Sequence, residues 1–279
     1  EVIVILDGYW PDPIIADRPR LVLVHRSEAL GMRAAINSAA NIATGKYLMK
    51  VDAHCMFAEG FDEELQKDGR CEPDWLSVPS RWSLNVEEWT RNHGPIEYNF
   101  LTYPYETDAQ FGDGLHGKKW LGEHGNGKSL RPAEYYWMER VRKDILIDDI
   151  QTWQGSCWFM HRQKFFNLGG MDLQFSNIHQ EAQELGFKIW LSGGRLVINK
   201  YTWYAHWHKS SNQRGYRLST NAMKETQNRS TWYWMNNKWP GQTRKIEWFI
   251  EHFWPIPGWP ENWQEEKIKY EAEHVCSYE

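Results

Sequence analysis

The run EVIVILD (1–7) is almost wholly apolar and is followed within twenty residues by a second such run, LVLVHR (21–26). Short apolar runs of this kind read as strands buried on both faces, and a sheet buried on both faces needs helices to cover it. GMRAAINSAANIATG (31–45) supplies the first helix, rich in Ala and stopped at Gly45. KYLMKVDAH (46–54) is a third strand, FDEELQKDG (61–69) a short acidic helix and WLSVPSRW (75–82) a fourth strand. This alternation implies an α/β domain built on a parallel sheet with helices on its faces.

Beyond residue 82 the pattern loosens. Residues 83–135 are rich in Gly, Pro, Tyr and Trp and read as irregular. TWQGSCWFMHR (152–162) is a further strand. A helix near 179–192 places Ile178, Ala182, Leu185 and Ile189 on one face. LVIN (196–199) begins a last strand. The chain from 210 is polar, then Trp-rich, with WPIPGWP (254–260) extended or turn-rich. Nine of the 18 Trp residues fall within 203–263. Trp faces serve sugars and bases as well as cores, and packing is the first expectation for most of them.

A net charge of −5 gives no global drive toward nucleic acid or an anionic membrane. Cys55, Cys71, Cys157 and Cys276 form no C-x-x-C pair and read as reduced, mostly buried thiols. No apolar run is long enough to span a membrane, and no signal peptide is present. The chain opens inside a strand without an initiator Met, so a piece upstream is expected.

The stretch GEHGNGKS (122–129) fits G-x-x-x-x-G-K-[ST] letter for letter. A phosphate loop also needs a buried strand leading in and a helix starting at the Lys-Ser. The lead-in HGKKWL has no strand pattern, and Pro132 restricts the residue before it. GEHGNGKS therefore reads as a Gly-rich loop, and phosphates are expected elsewhere.

Asp52-Ala53-His54 closes the third strand, and ligands of open α/β sheets bind beyond strand carboxyl ends. Alternation puts Asp52 and His54 on one side of the chain. A carboxylate and an imidazole there suit a divalent ion that accepts oxygen and nitrogen, although a satisfied Asp–His pair is the more ordinary outcome. A third ligand can come from YAHWHK, where His206 and His208 alternate around Trp207.

Three blocks carry a resemblance to a known family: GMRAAINSAANIATGKYLMKVDAHC, WQGSCWFMHRQKFFNLGGMD and HQEAQELGFKIWLSGGRLVINKYTWYAHWHK. Together they resemble a GT-A-fold, family-2-like glycosyltransferase, closest in pattern to the catalytic domain of the polypeptide N-acetylgalactosaminyltransferases. The resemblance implies an α/β GT-A (Rossmann-like) fold, a mostly parallel sheet flanked by helices and lacking the family's first strand. It covers most of 1–209 as the nucleotide-sugar-binding and catalytic domain. Residues 210–279 are then a Trp-rich extension, packing on that domain or forming the acceptor side. It implies that Asp52, His54 and His206 hold Mn²⁺ or Mg²⁺, which bridges the diphosphate of a UDP-sugar; the register selects His206 over His208. It implies that Asp7 bonds the uracil edge, that Arg33 faces the nucleotide or its phosphates, and that Gly155 lets the backbone approach the sugar or acceptor. Glu181 would face the donor sugar or the acceptor hydroxyl as the catalytic carboxylate.

Read as a helix face, Glu181, Glu184 and Lys188 also form a polar stripe, with Glu184 and Lys188 a surface i,i+4 pair. The family's Asn after the first Glu is Ala182 here, and its Trp three residues earlier is Ile178. The sugar and the stereochemistry are therefore open, and an inverting enzyme would need Glu181 or another base at the acceptor hydroxyl. The acceptor is open among glycan, protein, small molecule and modified DNA. A bacterial or viral enzyme acting in the cytoplasm is the expected setting. Three other readings stay beside the transferase: a non-catalytic glycan- or nucleic-acid-binding module, with HKSSNQRGYR (208–217) as a basic strip; a viral transferase of modified DNA bases; and a zinc hydrolase using Asp52, His54 and His206.

Overall fold

The computed structural model describes residues 1–105, 114–119, 142–175, 179–210, 213–214 and 219–273. GEHGNGKS, Ile178 and Cys276 lie outside the described residues.

The two opening runs form β1 (Val2–Asp7) and β2 (Leu21–Arg26), a parallel pair in register from Val2↔Leu21 to Asp7↔Arg26. The Ala-rich segment forms α1 (Met32–Ile42), and the next run forms β3 (Tyr47–Val51). The short strand β4 (Cys55–Phe57) and helix α2 (Phe61–Gln66) follow. β5 (Trp75–Asn85) is the longest of these early strands, with Leu76 through Arg81 all buried. Its neighbours are β10 (Cys157–His161), antiparallel, and β11 (Arg195–His206), parallel.

The strand order β3-β10-β5-β11-β4, with β6 (Thr90–Ile96) on β5 and β9 (Ile147–Asp149) on β11, makes a seven-stranded mixed sheet. The α/β expectation holds; β11 runs parallel to β5, while β10, β4, β6 and β9 each run antiparallel to the strands they pair with, so the sheet is mixed. Pro79 stands in the middle of β5, where a proline removes a ladder donor. The β11 register slips at that point, from Asn199↔Pro79 to Trp203↔Ser80.

The stretch expected to be irregular from residue 83 onward is in part strand. β5 runs on to Asn85, pairs back with β6, and a small sheet joins β7 (Asn99–Leu101) to β8 (Gly117–Lys119). The face of β6 is mostly exposed, so its residues carry no apolar alternation for a sequence reading to detect.

Helix α3 (Arg162–Asn167) follows β10, and α4 (Glu181–Leu191) precedes β11. Every residue of α4 is buried, including Glu181, Gln183, Glu184 and Lys188. The Glu184–Lys188 pair expected at the surface is thus internal. Three helices follow β11 among the described residues: α5 (Thr220–Met235), α6 (Ile246–His252) and α7 (Trp263–Glu273). Trp234, Phe249, Phe253, Trp259 and Trp263 join Leu76, Trp158, Phe187 and Trp190 in one continuous core. Packing is therefore the role of these Trp residues. Cys71 and Cys157 are buried, Cys55 is partly so, and all three are free thiols. Among the described residues no helix is long and apolar enough to cross a membrane.

Candidate active site

The site forms where the strand order closes on itself. β3 and β4 lie at opposite ends of that order, and the turn Asp52-Ala53-His54 joins them. The Asp52 amide extends the β3–β10 ladder by donating to the Ser156 carbonyl at 2.9 Å. On the other side of the turn, Cys55 pairs with His206, and the Trp207 amide donates to the His54 carbonyl at 3.1 Å. Backbone pairing thus brings together side chains 154 residues apart.

Asp52, His54 and His206 each offer a ligand atom, and these atoms lie within 4.8 Å of one another. The Asp52 Oδ2 and His206 Nε2 are 3.2 Å apart, and the two imidazole centroids 4.7 Å. One carboxylate oxygen and two imidazole nitrogens fit a divalent ion that takes mixed ligands, such as Mn²⁺. The Arg81 guanidinium lies 3.3 Å from His206 Nδ1. A guanidinium only donates, so it places the imidazole proton on Nε2, facing Asp52. Ligation through Nε2 then requires that proton to leave and the Arg81 contact to loosen. Burial and the neighbouring His206 lower the His54 pKa to about 4, so this ring is neutral and ligand-ready at neutral pH. Burial would raise the Asp52 pKa, but bonds from His206 and Lys50 outweigh it and hold the carboxyl well below the usual range.

Lys50, which the sequence reading passed over, links this cluster to Glu181. Its Nζ donates to Asp52 Oδ1 at 2.8 Å, to the Gly155 carbonyl at 2.8 Å and to Glu181 Oε2 at 3.0 Å. Burial alone would lower its pKa, but Glu181 and Asp52 raise it, so the ammonium stays charged. The other Glu181 oxygen accepts from the Trp158 indole at 2.9 Å. Burial, with the Asp52 charge adding to it, pushes the Glu181 pKa up against the pull of Lys50 and Trp158. Gly155 sits at φ +74, and a Cβ there would lie 3.5 Å from Glu181 Oε2. The signal for Lys50 was present: it precedes Asp52 by two residues, so the strand puts both on one face.

Gln180 sets the start of α4 and hence the place of Glu181. It adopts φ +67, and its amide spans the Leu115 carbonyl at 2.8 Å and the Ser230 hydroxyl at 2.9 Å. Arg33 and Asp7 stand in other networks. Arg33 is buried, donating from Nε to Glu184 Oε2 at 3.0 Å and from Nη2 to the His179 carbonyl at 2.7 Å. Asp7 accepts from Arg26 at 2.8 Å and from the Leu30 and Gly31 amides at 3.0 and 2.7 Å, so a base edge would have to share this carboxylate.

Residues 1–118 match the model of Glycosyl transferase family 2. Polypeptide N-acetylgalactosaminyltransferase 5 of Caenorhabditis elegans is 27% identical over 222 residues, covering 78% of this chain and 32% of the relative. Polypeptide N-acetylgalactosaminyltransferase 3 of Homo sapiens is 23% identical over 217 residues, covering 77% and 31%. A crystal structure of GalNAc-T7 with UDP, GalNAc and Mn²⁺ superposes with a TM-score of 0.58 at 19% identity, over 92% of this chain and 44% of that one. The fold is GT-A. The GT-A chain described here spans about a third of the length of the curated relatives it matches. It resembles that part of them in sequence, and GalNAc-T7 in fold.

Proposed function

We propose that this chain is a metal-dependent glycosyltransferase that moves a sugar from a UDP-sugar to an acceptor hydroxyl. The observation that carries the reading is the convergence of Asp52, His54 and His206, which β3, β4 and β11 bring within 4.8 Å. GalNAc-T7, whose fold it shares, was crystallised with UDP and Mn²⁺. Asp52, His54 and His206 would hold the ion, which supplies Lewis-acid charge that makes a departing diphosphate less basic. Asp7 would offer a carboxylate oxygen to the base. Gly155, with no side chain, keeps the space beside Glu181 open for sugar or acceptor. Glu181 presents a carboxylate of fixed direction. It is suited to take the proton of an acceptor hydroxyl or to face positive charge on the sugar ring.

The test is UDP release from a panel of UDP-sugars, with and without Mn²⁺, alongside UDP binding. His54→Ala and His206→Ala should each weaken Mn²⁺-supported UDP binding by about tenfold or more, since each removes a metal ligand. UDP affinity that is the same in EDTA and in Mn²⁺ would overturn the metal reading. A loss in His208→Ala with His206→Ala silent would move the ligand two residues beyond the end of β11.

A further inference from the structure

Lys50 places a fixed positive charge between the two functional carboxylates. An ammonium has three protons, and all three are used: on Asp52 Oδ1, on the Gly155 carbonyl and on Glu181 Oε2. The Lys50 and Glu181 side chains are 11% and 5% exposed, so water screens the pair little. Lys50 lies opposite Trp158 in the β3–β10 ladder, and Trp158 donates to the second Glu181 oxygen. One cross-strand pair therefore grips both oxygens of a carboxylate carried by α4. The same ammonium divides the oxygens of Asp52: Oδ1 faces Lys50, while Oδ2 faces His206.

This arrangement has two consequences of opposite sign. Holding Glu181 at both oxygens orients it. Placing a positive charge 2.8 Å from Asp52 Oδ1 opposes a second cation bound at Oδ2 of the same carboxylate. A residue that served only to hold the site together would help both orientation and ion binding. Lys50 helps one and hinders the other.

We propose that Lys50 is a positioning residue that orients Glu181 for turnover while weakening cation binding at Asp52, His54 and His206, a site kept labile as a result. The proposal rests on the transferase reading above. It assigns Lys50 no contact with substrate.

The test measures Mn²⁺ alone, by electron paramagnetic resonance of the free ion with purified chain and no nucleotide, and separately the kcat and KM for the UDP-sugar found active. Lys50→Met should bind Mn²⁺ about fivefold to tenfold more tightly, because a neighbouring positive charge is gone. Its kcat should fall about a hundredfold with KM for the donor within about threefold, the pattern of an interaction realised only in turnover. Lys50→Arg restores the charge but not the three-way geometry. Its Mn²⁺ affinity should return to within about twofold of wild type, with kcat still reduced. If Lys50→Met does not fold, the double variant Lys50→Met/Glu181→Gln is compared with Glu181→Gln alone, and it should bind Mn²⁺ more tightly than that single variant. Weaker Mn²⁺ binding on losing Lys50, with wild type binding normally, would overturn this proposal and leave the transferase reading standing. No Mn²⁺ binding by wild type would overturn the metal reading and this proposal together.

Discussion

Two carboxylates three residues apart on α4 are both buried and ion-paired, but to different partners, and each gives a different expected outcome on losing its charge. Glu184 is fully buried between Arg33 Nε at 3.0 Å and Lys188 Nζ at 2.8 Å, and it also accepts from the Asp172 amide at 2.6 Å. Glu184→Gln leaves two buried cations with their shared carboxylate gone, so it should cost about 3–5 kcal/mol of stability, read from the urea midpoint. The surface pairing expected of Glu184 and Lys188 would have made that change nearly silent. Glu181→Gln keeps size and removes the charge that the proposed transfer uses. It should lower kcat on the order of a hundredfold. UDP affinity should stay within about threefold, since the lost interaction belongs to the transition state. Turnover of Glu181→Gln at the wild-type rate, at a temperature where it is folded, would take Glu181 out of the chemistry.

At the scale of elements, the turn from α4 to β11 is a tight join at the end of β11 away from the site. A Cβ on Gly194 would lie 2.1 Å from the Asp74 carbonyl oxygen, so the backbone that leads into β11 touches the backbone that leads into β5. Gly194→Ala must push those two strands apart at the point where their parallel register begins, Arg195↔Trp75. The expected loss is about 2–3 kcal/mol, the range for forced overpacking, with an unchanged denaturant slope. An unaltered midpoint would show that the turn gives way freely. Elements of this part of the fold differ in how far the sequence exposes them. β1, β2, α1 and β3 stand out because each is a long apolar or Ala-rich run with a stop after it. Asp52, His54 and His206 stand out because a carboxylate and two imidazoles are few in kind and aligned with a family's motif. The direction of β10 does not, since a buried strand has the same composition whichever way it runs. Nor does the burial of Glu184 and Lys188, because Arg33, the second cation on the Glu184 carboxylate, is 151 residues away from it. The sequence places Lys50 on the same strand face as Asp52, but its tie to Gly155 and Glu181 comes from residues more than 100 positions away.

Across the whole molecule, the Trp-rich segment and the site share one core, and this determines how the chain should unfold. Trp234 on α5 is 1% exposed, with its ring centroid 5.2 Å from Phe187 on α4, the helix that begins at Glu181. Phe249 on α6 packs against the same Phe187 at 5.3 Å, and Trp190 meets Phe253 at 5.3 Å. Ser230 on α5 also holds the Gln180 amide that sets the start of α4. The C-terminal helices therefore form the back wall of α4. Trp234→Ala removes a large buried ring and should cost about 3–5 kcal/mol. The indole N–H of Trp234 has no hydrogen-bond partner among the described residues, so Trp234→Phe sacrifices no bond, leaves a smaller cavity and should cost less than Trp234→Ala. With one shared core, Trp234→Ala should move a single transition to lower denaturant, and near-UV circular dichroism and Mn²⁺ binding should be lost together along it. An early transition that removes aromatic ellipticity while Mn²⁺ binding persists would mean that the helices from residue 220 onward fold as a unit of their own, and that α4 keeps its place without them.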